Sequence, residues 1–180
     1  MILLKDVISH EACDWLIDSV SEDWDLGPEP VDGEPLWQNK MEGIHRAPYW
    51  LYSFSRVLAD DVLIDKICTI YKFEPSILKD APLWPFVRKY HMEGRRGFGF
   101  HPDPTHFSAT FLLSDPSNFE GGDFITQSDT TKDISVVPLE KGDCIIFRGS
   151  TLHAVKEITS GVRYSLSMFF ENELDESNYS

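Results

Sequence analysis

From Pro85 to Phe170 the chain alternates apolar and polar positions in short runs, with Gly, Pro, Asp and Asn gathered between them. In extended chain residues i and i+2 point to the same side, so such runs predict strands joined by turns. The runs are Phe86-Val87-Arg88-Lys89-Tyr90-His91, Phe107 to Leu113, a short strand ending near Gln127, Ile134 to Val137, Cys144 to Phe147, Leu152 to Glu157 and Arg163 to Phe170. Gly94 to Gly99, Asp115-Pro116-Ser117-Asn118 and Pro138 to Asp143 read as turns. Many short, evenly spaced strands predict a β-sandwich or barrel.

Before residue 85 the period is helical. Residues 2–4 read as a short strand. Ser9 can cap a helix whose apolar positions, Cys13, Leu16, Ile17 and Val20, recur at i, i+3, i+4 and i+7. A second helix is predicted from about Phe54 to Lys72, with Leu63, Ile67, Ile70 and Tyr71 on its apolar face and Pro75 just past its end. Between the helices, Gly27-Pro28-Glu29-Pro30 and Asp32-Gly33-Glu34-Pro35 read as a loop. Trp24, Trp37, Tyr49 and Trp50 would pack under that loop or line a groove. The helices would cover one face of the sheet, and the acidic tail from Glu171 is expected to fray.

A chain of 180 residues is expected to form one domain, with 1–84 as helical support and 85–170 as the β core. The net charge of −14 repels phosphate backbones and anionic bilayers, so no nucleic acid and no membrane is expected as a partner. One basic cluster runs against that charge, Arg88-Lys89 with Arg95-Arg96. It is either a solvated loop or a lure for an anionic co-substrate or substrate. Cys13, Cys68 and Cys144 are an odd, widely spaced set within apolar patterns, which suits reduced core thiols. With no signal-peptide pattern at Met1 and no apolar run of membrane-spanning length, the expected location is cytoplasmic. Nothing in the pattern fixes an oligomeric state.

The chemistry concentrates in His101-Pro102-Asp103, where a strand end can offer an imidazole and a carboxylate to one metal ion. His153 follows the Cys144 to Phe147 strand, and Arg163 opens the last one. Two imidazoles and one carboxylate leave open coordination positions, the ligand set of non-haem Fe(II) oxygenases. An arginine one strand further can grip a carboxylate with two parallel hydrogen bonds. His106 does not fit the spacing and is left as a loop or pocket histidine.

Together, Tyr90-His91-Met92-Glu93-Gly94, His101-Pro102-Asp103, Phe119-Glu120-Gly121-Gly122-Asp123-Phe124, Gly142-Asp143-Cys144-Ile145-Ile146-Phe147, Leu152-His153-Ala154-Val155 and Gly161-Val162-Arg163-Tyr164-Ser165-Leu166 carry a family resemblance. They resemble the double-stranded β-helix (jelly-roll, cupin-like) domain of the Fe(II)/2-oxoglutarate dioxygenases, in the prolyl 4-hydroxylase-like branch with its small bacterial and viral members. The resemblance implies a mainly β fold with N-terminal helices, and hydroxylation of a prolyl or other residue in a protein or peptide. It implies Fe(II) on His101, Asp103 and His153, with 2-oxoglutarate and dioxygen as co-substrates and ascorbate as an optional addition. It places the far carboxylate of 2-oxoglutarate on Arg163, helped by the Ser165 hydroxyl, with Tyr90 also reaching the co-substrate. One position departs from the pattern: Leu112 stands where relatives often carry a second tyrosine that hydrogen-bonds the co-substrate. Other readings are a hydroxylase of a small molecule such as a free amino acid, a non-catalytic jelly-roll metal-binding module, and a zinc hydrolase, which would need no counterpart of Arg163.

Overall fold

The computed structural model describes residues 1–20, 24–28, 35–39 and 47–171. The first part of the chain forms β1 (Ile2–Leu4), α1 (His10–Ser19), a hairpin of β2 (Trp24–Pro28) and β3 (Pro35–Asn39), then α2 (Tyr49–Leu58), α3 (Ile64–Tyr71) and α4 (Pro75–Asp80). The rest forms β4 (Leu83–His91), β5 (Phe98–His101), β6 (Thr105–Leu112), β7 (Phe119–Gly121), β8 (Phe124–Gln127), β9 (Ile134–Val137), β10 (Cys144–Arg148), β11 (His153–Val155) and β12 (Ile158–Glu171).

One sheet has the order β1-β10-β6-β12-β4-β3-β2, with β7 also on β12, and the other has the order β5-β11-β8-β9. The pairings among the described residues are antiparallel. From β4 onward the chain passes back and forth between the two sheets, which is the double-stranded β-helix expected from the sequence. Among the described residues, no helix is long and apolar enough to cross a membrane.

The large sheet is buried on both faces. Phe107, Ala109 and Phe111 of β6, Cys144 and Ile146 of β10, and Leu166, Met168 and Phe170 of β12 pack with Leu16, Leu51, Leu63 and Ile67 of the helices. The alternate positions face the small sheet, where Tyr90, Ile145 and Phe147 meet Phe98, Phe124 and Val155. The two-residue period thus sorts helix-facing from sheet-facing side chains.

Several sequence expectations shift. Ser9 caps α1 as predicted, its hydroxyl accepting from the Ala12 N–H at 3.2 Å. The second helix begins at Tyr49 rather than Phe54, and Ile70 is exposed rather than on the apolar face. Its buried row, Leu51, Ser55, Ala59, Leu63 and Ile67, recurs every fourth residue. Such a row drifts around a helix of 3.6 residues per turn, and a π-helical turn at Ala59–Leu63 brings it back into line. Lys72 closes α3 in the left-handed conformation, and Pro75 starts a further short helix, α4. Gly27, Pro28 and Pro35, expected in a loop, belong to hairpin strands. Pro28 pairs with Pro35 at the end of that ladder, where a missing N–H costs least. Residues 29–34, Trp24 and Trp37 as side chains, and the tail beyond Glu171 lie outside what is described. β12 begins at Ile158, five residues ahead of expectation, because it also pairs with β7.

The N-terminus is stapled to the β9–β10 turn. Asp143, almost fully buried, accepts from Lys5 Nζ at 2.6 Å, Asp6 N–H at 3.1 Å and Glu140 N–H at 2.8 Å.

Candidate metal centre

The site begins with an irregularity in β5. His101 is the cross-strand partner of His153, and Phe98 that of Val155, so three steps along β5 match two along β11. The extra residue is a β-bulge at Gly99–Phe100, which leaves these two outside while both Phe98 and His101 turn inward. A regular strand would place Phe98 and His101 on opposite faces. The bulge also supplies an acceptor, for His101 Nδ1–H donates to the Gly99 carbonyl at 2.7 Å. His153 Nδ1–H likewise donates to the Thr151 carbonyl at 3.0 Å.

A carbonyl can only accept, so each neutral ring carries its proton on Nδ1 and presents an Nε2 lone pair. The two lone pairs face one carboxylate. His101 Nε2 lies 3.6 Å from Asp103 Oδ1, and His153 Nε2 lies 3.7 Å from Asp103 Oδ2. All three side chains are buried, and their ligand atoms fall within 4.8 Å of one another. Burial, reinforced at His101 by neighbouring His153, pushes both imidazoles down to about 4, so both are neutral at physiological pH. Burial pushes the Asp103 carboxyl up, against the hydrogen bond from Ser108. Two buried imidazole Nε2 atoms and a buried carboxylate thus face one another across one small gap. The donor set therefore suits a divalent metal ion.

Backbone contacts fix Asp103. Its N–H donates to the Gly149 carbonyl at 2.8 Å. A Cβ on Gly149 would press on the carbonyl oxygens of Thr105 and Asp103, so this approach requires glycine.

Arg163 lies further along the same inner wall, as the cross-strand partner of Tyr90 and two residues before Ser165. It is 1% exposed, and among the described residues its Nε and Nη1 have no hydrogen-bond partner. Its guanidinium carbon lies 5.6 Å from the Tyr90 ring centroid. Gly122, at a positive φ of 67°, leaves room for the stem, since a Cβ there would come within 2.9 Å of Arg163 Cδ. A buried guanidinium with idle donors suits an anion. Leu112 lies on the same wall, opposite Ser165, and contributes no hydroxyl.

The basic cluster divides. Arg88 is buried and lines the cavity with Tyr90, His101, Asp103 and His153. Its guanidinium lies over Phe86 at 4.6 Å and Phe98 at 5.2 Å. Lys89 takes the opposite face, near the Tyr164 ring. Arg95 and Arg96 line an adjoining groove of about 560 Å³ beside β5 and β11. His106 packs on Phe73, outside the triad. Sequence reasoning missed Arg88 as a cavity residue, although counting by twos from Tyr90 finds it. It also missed Ser108, whose Oγ donates to Asp103 Oδ2 at 2.6 Å, and the hydroxyls of Thr110 and Ser167 on the same wall.

The family described as the 2OG-Fe(II) oxygenase superfamily matches residues 86–171. A PKHD-type hydroxylase of Paraburkholderia xenovorans is 30% identical over 176 residues, covering 90% of this chain and 72% of the relative. The chain belongs to the 2OG-Fe(II) oxygenase superfamily. The matched span of the superfamily takes in β4 to β12, and so Tyr90, His101, Asp103, His153, Arg163 and Ser165. A PKHD-type hydroxylase of Pseudomonas putida is 31% identical over 116 residues, 57% of this chain and 50% of the relative, so the chain spans about half the length of such curated relatives. Among solved structures, a prolyl hydroxylase from Trichoplax adhaerens in complex with a hypoxia inducible factor oxygen degradation domain peptide fragment superposes with a TM-score of 0.69 at 13% identity, over 99% of this chain and 86% of that one. HygX from Streptomyces hygroscopicus, with nickel, 2-oxoglutarate and hygromycin B bound, superposes with a TM-score of 0.63 at 12% identity, over 93% and 82%. These two likenesses bear on the fold.

Proposed function

We propose that this chain is an Fe(II)- and 2-oxoglutarate-dependent dioxygenase that hydroxylates an unactivated C–H bond of a prolyl or other residue in a protein or peptide. One observation carries the reading. Two Nε2 atoms and a carboxylate converge within 4.8 Å of one another, on the wall that also holds a buried arginine whose Nε and Nη1 have no partner among the described residues.

Iron with bound 2-oxoglutarate and dioxygen would supply the oxidising power, the co-substrate leaving as succinate and carbon dioxide. The residues bind and orient. His101, Asp103 and His153 would hold the metal. Arg163 holds the far carboxylate of the co-substrate through charge-assisted hydrogen bonds, with Ser165 and Tyr90 beside it. Phe98, Phe124 and Phe147 pack around the imidazoles and exclude water. Ascorbate has no residue assigned to it in this scheme.

The peptide reading is supported by the 560 Å³ groove beside β5 and β11, which adjoins the strands carrying His101 and His153. A small-molecule substrate is the second reading, favoured by the hygromycin B bound to the structurally similar HygX. Free thiols at Cys13, Cys68 and Cys144 suit a reducing compartment such as the cytoplasm. The test is turnover. The purified protein with Fe(II), 2-oxoglutarate and oxygen is incubated with peptide and metabolite panels, and products are read by mass spectrometry. Gain of one oxygen atom on a peptide, with matching succinate, supports the main reading, and gain only on a metabolite supports the second. Oxygen gain without any need for 2-oxoglutarate would overturn both.

A further inference from the structure

Asp103 is the one member of the triad whose side chain has two equivalent donor atoms, and the protein treats them differently. Oδ2 accepts from Ser108 Oγ at 2.6 Å, while Oδ1 receives no hydrogen bond among the described residues. Ser108 is fully buried on the inner face of β6, and its Oγ also lies 3.0 Å from Thr105 Oγ1. A hydroxyl has one proton. Ser108 commits its proton to the carboxylate, so Thr105 must be the donor to Ser108. The result is a directed relay, Thr105 to Ser108 to Asp103, in which each bond polarises the next. The backbone of Asp103 is already fixed by the Gly149 contacts, so the relay is left to set the rotation of the carboxylate.

We propose that Ser108 is a positioning residue for the metal centre: by holding Oδ2 it makes Asp103 ligate through Oδ1 alone. The inference rests on the metal-site reading above. A carboxylate free to turn can chelate one ion with both oxygens and occupy two positions. Held by one oxygen, it occupies one, and the position saved stays open to co-substrate or dioxygen. Partners that orient metal ligands in this way typically set metal affinity by about 10- to 100-fold.

The experiment is Co(II) titration of the metal-free protein without 2-oxoglutarate, followed by the visible d–d absorption of the bound ion. Ser108→Ala is expected to bind about 10- to 100-fold more weakly, with a changed band shape. Ser108→Thr keeps the hydroxyl and should restore both affinity and spectrum. Thr105→Val removes the donor behind Ser108 and should shift both in the same direction, less far, and it carries the test if Ser108→Ala does not fold. A serine that merely satisfies its own buried hydroxyl would change melting temperature and leave the spectrum alone. Wild-type affinity and band shape in Ser108→Ala, or in Thr105→Val, would overturn the inference. The control is Asp103→Ala: if it binds Co(II) as well as wild type does, the metal-site reading itself falls, and this inference with it.

Discussion

His101 and His153 face each other as direct cross-strand partners on β5 and β11, with ring centroids 4.3 Å apart. They are 52 positions apart in sequence (153 − 101), and it is the pairing of those two strands that makes them neighbours. The bulge at Gly99–Phe100 sets the register, and Asp103 enters from just beyond the end of β5.

The triad should act as a unit toward metal. His101→Ala, Asp103→Ala and His153→Ala should each largely abolish Fe(II) binding, because two remaining ligands make a weak site. Anaerobic metal titration measures this, and a His153→Ala protein with wild-type affinity would contradict the assignment.

Gly149→Ala should weaken the same binding without touching a ligand. Its new methyl would come within 2.7 Å of the Asp103 carbonyl oxygen and press on that of Thr105. The loop carrying Asp103 would have to move, at a cost of roughly 1–3 kcal/mol in stability. Denaturant unfolding and metal titration should both show the loss.

Asp143 gives a pH prediction. Burial raises its pKa, but the Lys5, Glu140 and Asp6 donors outweigh that and leave it below the ordinary carboxylate value. A depressed folded-state pKa means stability that is present above the unfolded-state value, about 4, and is lost as pH falls through the folded-state value. Asp143→Asn should therefore be less stable than wild type by about 1–3 kcal/mol near neutral pH. The gap should narrow as pH falls below about 4. Chemical denaturation across that range checks the sign, and a gap that widens in acid would contradict it.

The strands of the β core were legible because both sides of the large sheet are packed, so Phe107 to Leu113 and Cys144 to Phe147 show strong local signals. Arg163 stood out through its order after His153, although no local pattern reveals that its Nε and Nη1 lack partners among the described residues. The hairpin of β2 and β3 was hidden because its prolines read as loop, and it is pairing with β4 at Trp37↔Lys89 that makes β3 part of the sheet. The early start of α2 was hidden because Tyr49 is exposed and the buried row beneath it is completed by a π turn. Ser108 had no signal at all, since a serine between Phe107 and Ala109 is ordinary strand sequence and its role depends on where Asp103 folds back.

The central claim is that the metal centre and Arg163 together hold 2-oxoglutarate. The most direct measurement is titration of 2-oxoglutarate into the Fe(II)-loaded protein under nitrogen, following the metal-to-ligand charge-transfer absorption. Wild type should develop the band with saturable affinity. Arg163→Leu should keep Fe(II) affinity and lose about 3–5 kcal/mol of co-substrate binding, a hundred-fold or more, with Arg163→Lys in between. Absence of the band in wild type, or unchanged 2-oxoglutarate affinity in Arg163→Leu, would contradict the account.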